Sequence, residues 1–291
     1  MPESKKVGLV LSGGAYAGWM QLGALQVLEE EGISFDIITG VSVGGLIGLG
    51  LANEIPVKDI IKRAQSLKES DFKKITISHG AMFDPSYAIS KLKKFLGGEK
   101  NFEDLPKKFA VVAVDVITGD EVVLDKGPVL KAVQATMSIP GIFPPVELDG
   151  KFLVDGGLLN PLPVDVALSM GASTTIAIEA SSALQIDFRG RSMNRFQKRL
   201  VESTRNMYFY MWFKKDYLVN SVWDAFRLIG NKIKKEKLKN YPPTFLLELS
   251  DPTKRSDILQ SDSKKQRAKL IKVGRQAATS SLDKIKKALE N

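Results

Sequence analysis

Residues 7–51 alternate in a way that few folds accept. Val7-Gly8-Leu9-Val10-Leu11 is a short apolar run closed by Ser12-Gly13-Gly14, the pattern of a buried strand ending in a glycine turn. Leu22, Leu25 and Leu28 then recur three apart, glutamates occupy 29–31, and Gly32 supplies a helix stop. Residues 35–39 form the next strand, Gly40 to Gly44 a tight turn, and residues 43–51 an apolar helix. Strand, helix, strand, helix with tight turns requires crossover connections, and therefore a mostly parallel sheet covered on both faces. The fold class expected is α/β, as three α/β/α layers around a mostly parallel central sheet.

The rest of the chain extends this plan. Residues 55–67 and 86–96 read as amphipathic cover helices. The β-branched run 109–116 turns at Thr118-Gly119-Asp120 into 121–124, a hairpin expected at the sheet edge. A helix over 128–137 is stopped by Ser138-Ile139-Pro140-Gly141-Ile142-Phe143-Pro144-Pro145, and 151–154 is a strand running directly into Asp155-Gly156-Gly157. A helix to Met170, a strand over 173–180, a strand rejoining the sheet at 244–249 and a Lys-rich helix over 264–289 complete the reading. We expect a core domain over 7–180, a basic aromatic helical insertion or lid over 181–240, and a final strand and helix over 241–291.

Composition removes most chemistries. There is no cysteine, so disulfides, thiolate metal sites and cysteine nucleophiles are out. The single histidine, His79, sits in a loop-like Ser-His-Gly context and, coming before Asp155, breaks the usual Ser-acid-His order, so it reads as an ordinary solvated or capping residue. Chemistry must then run on hydroxyls, carboxylates or amines.

Gly40-Val41-Ser42-Val43-Gly44 fits the G-x-S-x-G nucleophile elbow, with a strand before it and a helix after it. Gly40 and Gly44 let strand and helix approach closely. A serine of ordinary pKa needs a base, and with no histidine to hand the base must be a carboxylate. Asp155 is the best candidate: it ends a strand, and Gly156-Gly157 lets the backbone turn beside it without side-chain bulk. Its plainer reading is a turn aspartate. Ser12-Gly13-Gly14-Ala15, between strand and helix, offers backbone N–H groups to an oxyanion. The same turn could cradle a dinucleotide phosphate, but the G-x-G-x-x-G spacing is missing and Glu54 follows a helix instead of ending a strand.

The net charge of +9 arises entirely within 181–240, where 14 Lys and Arg face 5 Asp and Glu. The same stretch carries 10 of the 23 aromatic residues. Rings flanked by cations suit a membrane interface, a packed helical subdomain with a solvated basic face, or single-stranded nucleic acid. We take an anionic membrane surface as the partner class to test and expect no nucleic acid. Lys5 and Lys6 before an apolar run imitate a secretory leader, but Glu3 and the glycine turn argue against one. The uncharged stretch 37–53 is shorter than the roughly 20 apolar residues a bilayer requires, and five of its residues are glycine. A cytoplasmic protein, able to sit peripherally at the membrane, is the expectation; the oligomeric state is left open.

A glycine turn after the first strand, G-x-S-x-G some 30 residues on, and Asp155-Gly156-Gly157 with Leu159-Asn160-Pro161 after it resemble the patatin-like phospholipase family, bacterial members most of all. The run from Gln134 to Pro145 is similar to that family's proline-containing block before the catalytic aspartate. The resemblance covers about Val7 to Ala180. It implies a serine lipid acyl hydrolase with Ser42 as nucleophile and Asp155 as base, no histidine, and neither metal nor other cofactor. The amides of Gly13, Gly14 and Ala15 would hold the oxyanion, and the substrate would be a lipid or phospholipid ester. Two positions depart from the pattern: Ala15 replaces the usual third glycine, and Ala17 stands where an arginine is common. Ala15 can still offer its N–H if its φ is negative. The alternative expectation is a catalytically weak member that acts as a membrane-surface or nucleic-acid binding module.

Overall fold

The computed structural model describes residues 5–66, 74–75, 83–180, 215–250 and 263–290. The strands are β1 (Val7–Leu11), β2 (Ile37–Gly40), β3 (Lys74–Ile75), β4 (Phe83–Asp84), β5 (Lys108–Asp115), β6 (Glu121–Leu124), β7 (Val146–Leu148), β8 (Lys151–Asp155), β9 (Thr174–Glu179) and β10 (Phe245–Glu248). The helices are α1 (Gly18–Glu30), α2 (Val43–Ala52), α3 (Val57–Ser66), α4 (Ser86–Phe95), α5 (Val129–Thr136), α6 (Val164–Ser169), α7 (Lys215–Asn240) and α8 (Lys264–Glu290). His79, the aromatic run 208–213 and the rest of the basic segment before Lys215 lie outside the described residues.

The central sheet runs β10-β9-β1-β2-β5-β8-β7, with β6 paired to β5 alone. From β10 to β5 every pairing is parallel; β8, β7 and β6 join antiparallel. The hairpin of β5 and β6 forms as expected. It does not end the sheet, because β5 also carries β8, and β7 lies beyond. The strand expected at 244–249 is β10, which continues the parallel register beside β9.

Side chains alternate between the two faces of each strand, and the two cores separate accordingly. Leu9, Leu11, Ile38, Val111 and Ile176 face the larger core, under α1, α2, α3, α5 and α8. Val10, Ile37 and Ala177 face the opposite side, where Val164 and Ala167 of α6 cover them. Helix α8 lies against α1 at a distance only glycine permits. A Cβ on Gly23 would fall 2.0 Å from the Ile271 carbonyl oxygen, and one on Gly274 would fall 1.8 Å from that of Met20. The Lys-rich C-terminal helix is thereby part of the layer that covers the sheet.

The chain leaves β1 towards β2 through α1 on one face and reaches β9 through α6 on the other. Strand order therefore reverses at β1, and the carboxyl ends of the strands open a crevice there, the place where α/β sheets put their sites. Leu11 is level with Gly40 on one side and Ile178 on the other, so the turns after β1 and β2 emerge together.

Candidate active site

Ser42 sits between β2 and α2 with φ 55° and ψ −127°, a strained conformation for a residue with a side chain. The elbow survives because its neighbours are glycines. A Cβ on Gly40 would lie 2.6 Å from the Gly44 carbonyl, and one on Gly44 would lie 2.5 Å from the carbonyl oxygens of Leu11 and Ser12. The Ser42 N–H donates to Thr136 Oγ1 at 3.0 Å, and that hydroxyl donates to the Val112 carbonyl. Helix α5 thus pins the elbow to the middle of the sheet.

Asp155 ends β8 and is completely buried; Ser42 keeps 7% of its surface. Its backbone N–H donates to the Ser138 carbonyl at 2.9 Å, so the proline-containing block holds the aspartate in place. Asp155 Oδ1 accepts from Gly157 N–H at 2.8 Å. Burial drives the carboxyl up from its ordinary value to about 7, against the stabilising influence of the Ser42 hydroxyl and the Gly157 amide. The two side chains are therefore within interaction range. Asp155 Oδ2 nonetheless has no partner of good hydrogen-bond geometry among the described residues. We read the pair as side by side, short of a closed hydrogen bond.

The glycine turn after β1 lies against the elbow: a Cβ on Gly13 would sit 3.4 Å from Ser42 Cβ. Two expectations for this turn need correction. The Gly13 N–H is spent internally, donating to the Pro161 carbonyl at 3.2 Å, so it is not free to receive an oxyanion. Ala15 adopts φ 43°, against the expected negative φ; the positive φ strains the residue but leaves its N–H without an internal acceptor among the described residues. The left-handed conformation costs an alanine roughly 1–2 kcal/mol relative to a glycine. The amides of Gly14 and Ala15 donate to no acceptor among the described residues. Ala17 is fully buried in the short turn that opens α1.

Side-chain contacts that sequence reasoning did not single out support this arrangement. Ser12 Oγ donates to the Gly13 carbonyl and accepts from Ala180 N–H, each at 2.8 Å, while the Gln21 side chain donates to the Ser12 carbonyl and hydroxyl. Thr136 lay within the proline-containing block, but nothing in the pattern named it as the acceptor for Ser42. Phe226 of α7 reaches Gly157 from a distant part of the chain; a Cβ on Gly157 would come within 2.9 Å of its ring. Gly230, one turn on, passes just as close to the Gly157 carbonyl. Farther along the helix Lys234 pairs with buried Glu179, and Lys237 bridges Glu121 and Asp165 at 2.6 and 2.7 Å. Burial works against the Lys237 ammonium, but its bonds to those two acids outweigh it and hold its pKa above the usual lysine range.

An α/β sheet with a glycine-bracketed serine elbow and a buried carboxylate beside it defines a class of fold and site. The model of the patatin-like phospholipase family matches residues 9–168, and this chain belongs to that family. It is 37% identical over 185 residues to a patatin-like phospholipase domain-containing protein of Caenorhabditis elegans, covering 60% of this chain but 14% of that one. It is 29% identical over 218 residues to an NTE family protein of Mycobacterium tuberculosis, covering 71% of this chain and 58% of the relative. The chain thus spans only part of the length of these relatives. Among solved structures it is similar in fold to VipD from Legionella pneumophila, with a TM-score of 0.58 at 17% identity, over 97% of this chain and 67% of that one.

Proposed function

We propose that the protein hydrolyses carboxylic esters of lipids through Ser42 and Asp155. Ser42 Oγ attacks the acyl carbonyl carbon while its proton passes to the Asp155 carboxylate. The tetrahedral oxyanion lies against the Gly14 and Ala15 amides. As it collapses, the ester C–O bond breaks and the leaving alcohol takes the proton from Asp155. Water then attacks the acyl-serine, giving its proton to Asp155, and the acid departs as Ser42 is re-protonated. The observation that carries this reading is a fully buried carboxyl, raised to about 7, next to a strained serine. A base of that pKa is matched to work near neutrality. Hydrolysis of a p-nitrophenyl ester that disappears in Ser42→Ala and in Asp155→Asn supports the reading; hydrolysis retained in Ser42→Ala overturns it.

The membrane surface belongs to the same proposal. Helix α7 turns Phe226 and Gly230 towards the site and leaves Leu228 and Ile229 exposed, at 61% and 50%, with Lys232 and Lys235 also exposed. No helix among the described residues is long and apolar enough to cross a membrane. An exposed apolar pair beside cations matches the interfacial zone of an anionic bilayer. Flotation with phosphatidylserine vesicles should occur at low salt and weaken at high salt; no flotation at low salt removes this part. A second reading, a catalytically feeble binder, draws on the positive φ of Ala15, and bilayer binding without Ser42-dependent turnover would favour it.

A further inference from the structure

Helix α2 begins at the nucleophile, and its periodicity decides what lies beyond. Residues four apart share a helix face, so Leu46 and Gly50 form one line on α2; Ser42 stands just before it, its carbonyl accepting from the Leu46 N–H at 3.1 Å. Leu46 and Gly50 line a cavity of about 380 Å³ enclosed by α2, α3 and α4. Met137 lines it too, immediately after the Thr136 whose hydroxyl receives the Ser42 N–H. Ser42 itself does not line the cavity, but two elements lead from it to the walls: one helical turn of α2 to Leu46, and the Thr136 contact to Met137.

Its walls are suited to hydrocarbon. Ile60, Leu92 and Phe95 contribute apolar surface, and its volume falls within the roughly 300–1,000 Å³ of ordinary ligand pockets. Gly50 keeps the floor low, since a Cβ there would meet Ile60 Cδ1 at 2.7 Å. Among the described residues the charged members of the lining are all cations, Arg63, Lys91 and Lys94. Arg63 holds its guanidinium 5.1 Å from the centre of the Phe95 ring, and both it and Lys94 are exposed. Such side chains keep the head in water and lay the stem on apolar surface, so they rim the cavity without filling it. That rim suits a neutral or anionic lipid and repels a cationic amphiphile.

We propose that this cavity takes the acyl chain of the scissile ester, its carbonyl at Ser42 and its tail running past Leu46 towards Gly50 and Ala64. The inference rests on Ser42 being the nucleophile and adds what selects the substrate: a long hydrocarbon chain bound between α2, α3 and α4. Short esters would react without filling it, and long ones would gain the binding of each buried methylene.

Ala64→Trp tests it, because Ala64 lines the cavity from the partly exposed side of α3, where an indole enters without removing core contacts. The ratio of kcat/KM for p-nitrophenyl palmitate to that for the butyrate should fall about tenfold or more. Binding of cis-parinaric acid, followed by its fluorescence, should weaken by a similar factor in Ala64→Trp and persist in Ser42→Ala. An unchanged ester ratio together with unchanged parinaric acid binding overturns the cavity. If ester hydrolysis depends on Ser42 while neither readout responds to Ala64→Trp, the cavity alone is wrong. If parinaric acid binding responds but no ester is cleaved, the nucleophile is wrong and the cavity stands.

Discussion

Replacing Asp155 with asparagine should stabilise the protein above neutral pH while abolishing turnover. The carboxyl moves from an ordinary value of 3.8 to about 7 because it is buried. The folded state therefore holds this proton more tightly than the unfolded chain does. Stability falls as pH rises from about 4, through the unfolded pKa, to about 7, and then levels. About three pKa units at 1.36 kcal/mol each amount to roughly 4 kcal/mol of lost stability across that window. Asparagine does not ionise, and its carbonyl oxygen can keep the bond from Gly157 N–H that Asp155 Oδ1 accepts. Its curve should lack this contribution. The gap between variant and wild type should open with pH and reach, at pH 8.5, roughly 8–16 °C in Tm, at about 2–4 °C per kcal/mol. Thermal or urea unfolding of both proteins at pH 5 and pH 8.5 measures it. Parallel stability curves would mean that the carboxylate pays no burial penalty, and the argument for its basicity would fail.

Three further outcomes follow from the same geometry. Ala15→Gly should relieve the positive φ, and against the roughly 0.4–1 kcal/mol that glycine adds to unfolded-chain entropy it should raise stability by up to about 1 kcal/mol, read from the urea midpoint. Destabilisation instead would show that Ala15 is not strained. Gly44→Ala puts a methyl 2.5 Å from two carbonyl oxygens, so ester hydrolysis should fall steeply and Tm should drop; a fully active variant would contradict the elbow packing. Phe226→Ala opens the Asp155-Gly157 turn to water, so the midpoint of the pH–kcat/KM profile should move from about 7 towards acid. A midpoint that stays in place would show that α7 does not control the burial of the base.

Much of the parallel part of the sheet could be read from residues 7–51, because glycine turns and apolar periodicity are local signals. Ser42 and its glycines were equally legible, since the elbow is one continuous pentapeptide whose neighbours must be small. Asp155 could be proposed from the lack of other bases, its place before Gly156-Gly157 and the family resemblance, but what raises its pKa is not local. β5 pairs with its strand, the Ser138 carbonyl holds its N–H, and Phe226 of α7 lies against the neighbouring Gly157, all brought in by tertiary packing. The oxyanion turn was half legible. Its glycines advertised free amides, but which amide is consumed depends on Pro161, nearly 150 positions away, and sequence gives no sign of that pairing. The extension of the sheet by β7 also escaped, because a three-residue strand carries too little pattern to register. The cavity beside α2 follows from helical spacing once α3 and α4 are known to stand against it.

The central claim is that Ser42 is a nucleophile activated by Asp155. Labelling with a fluorophosphonate probe, followed by peptide mapping, tests it most directly, because adduct formation requires a serine oxygen that attacks phosphorus. The account predicts one adduct on the peptide containing Ser42, none in Ser42→Ala, and labelling greatly slowed in Asp155→Asn. An adduct on another serine, or labelling of Ser42 at the same rate without the Asp155 carboxylate, would contradict it.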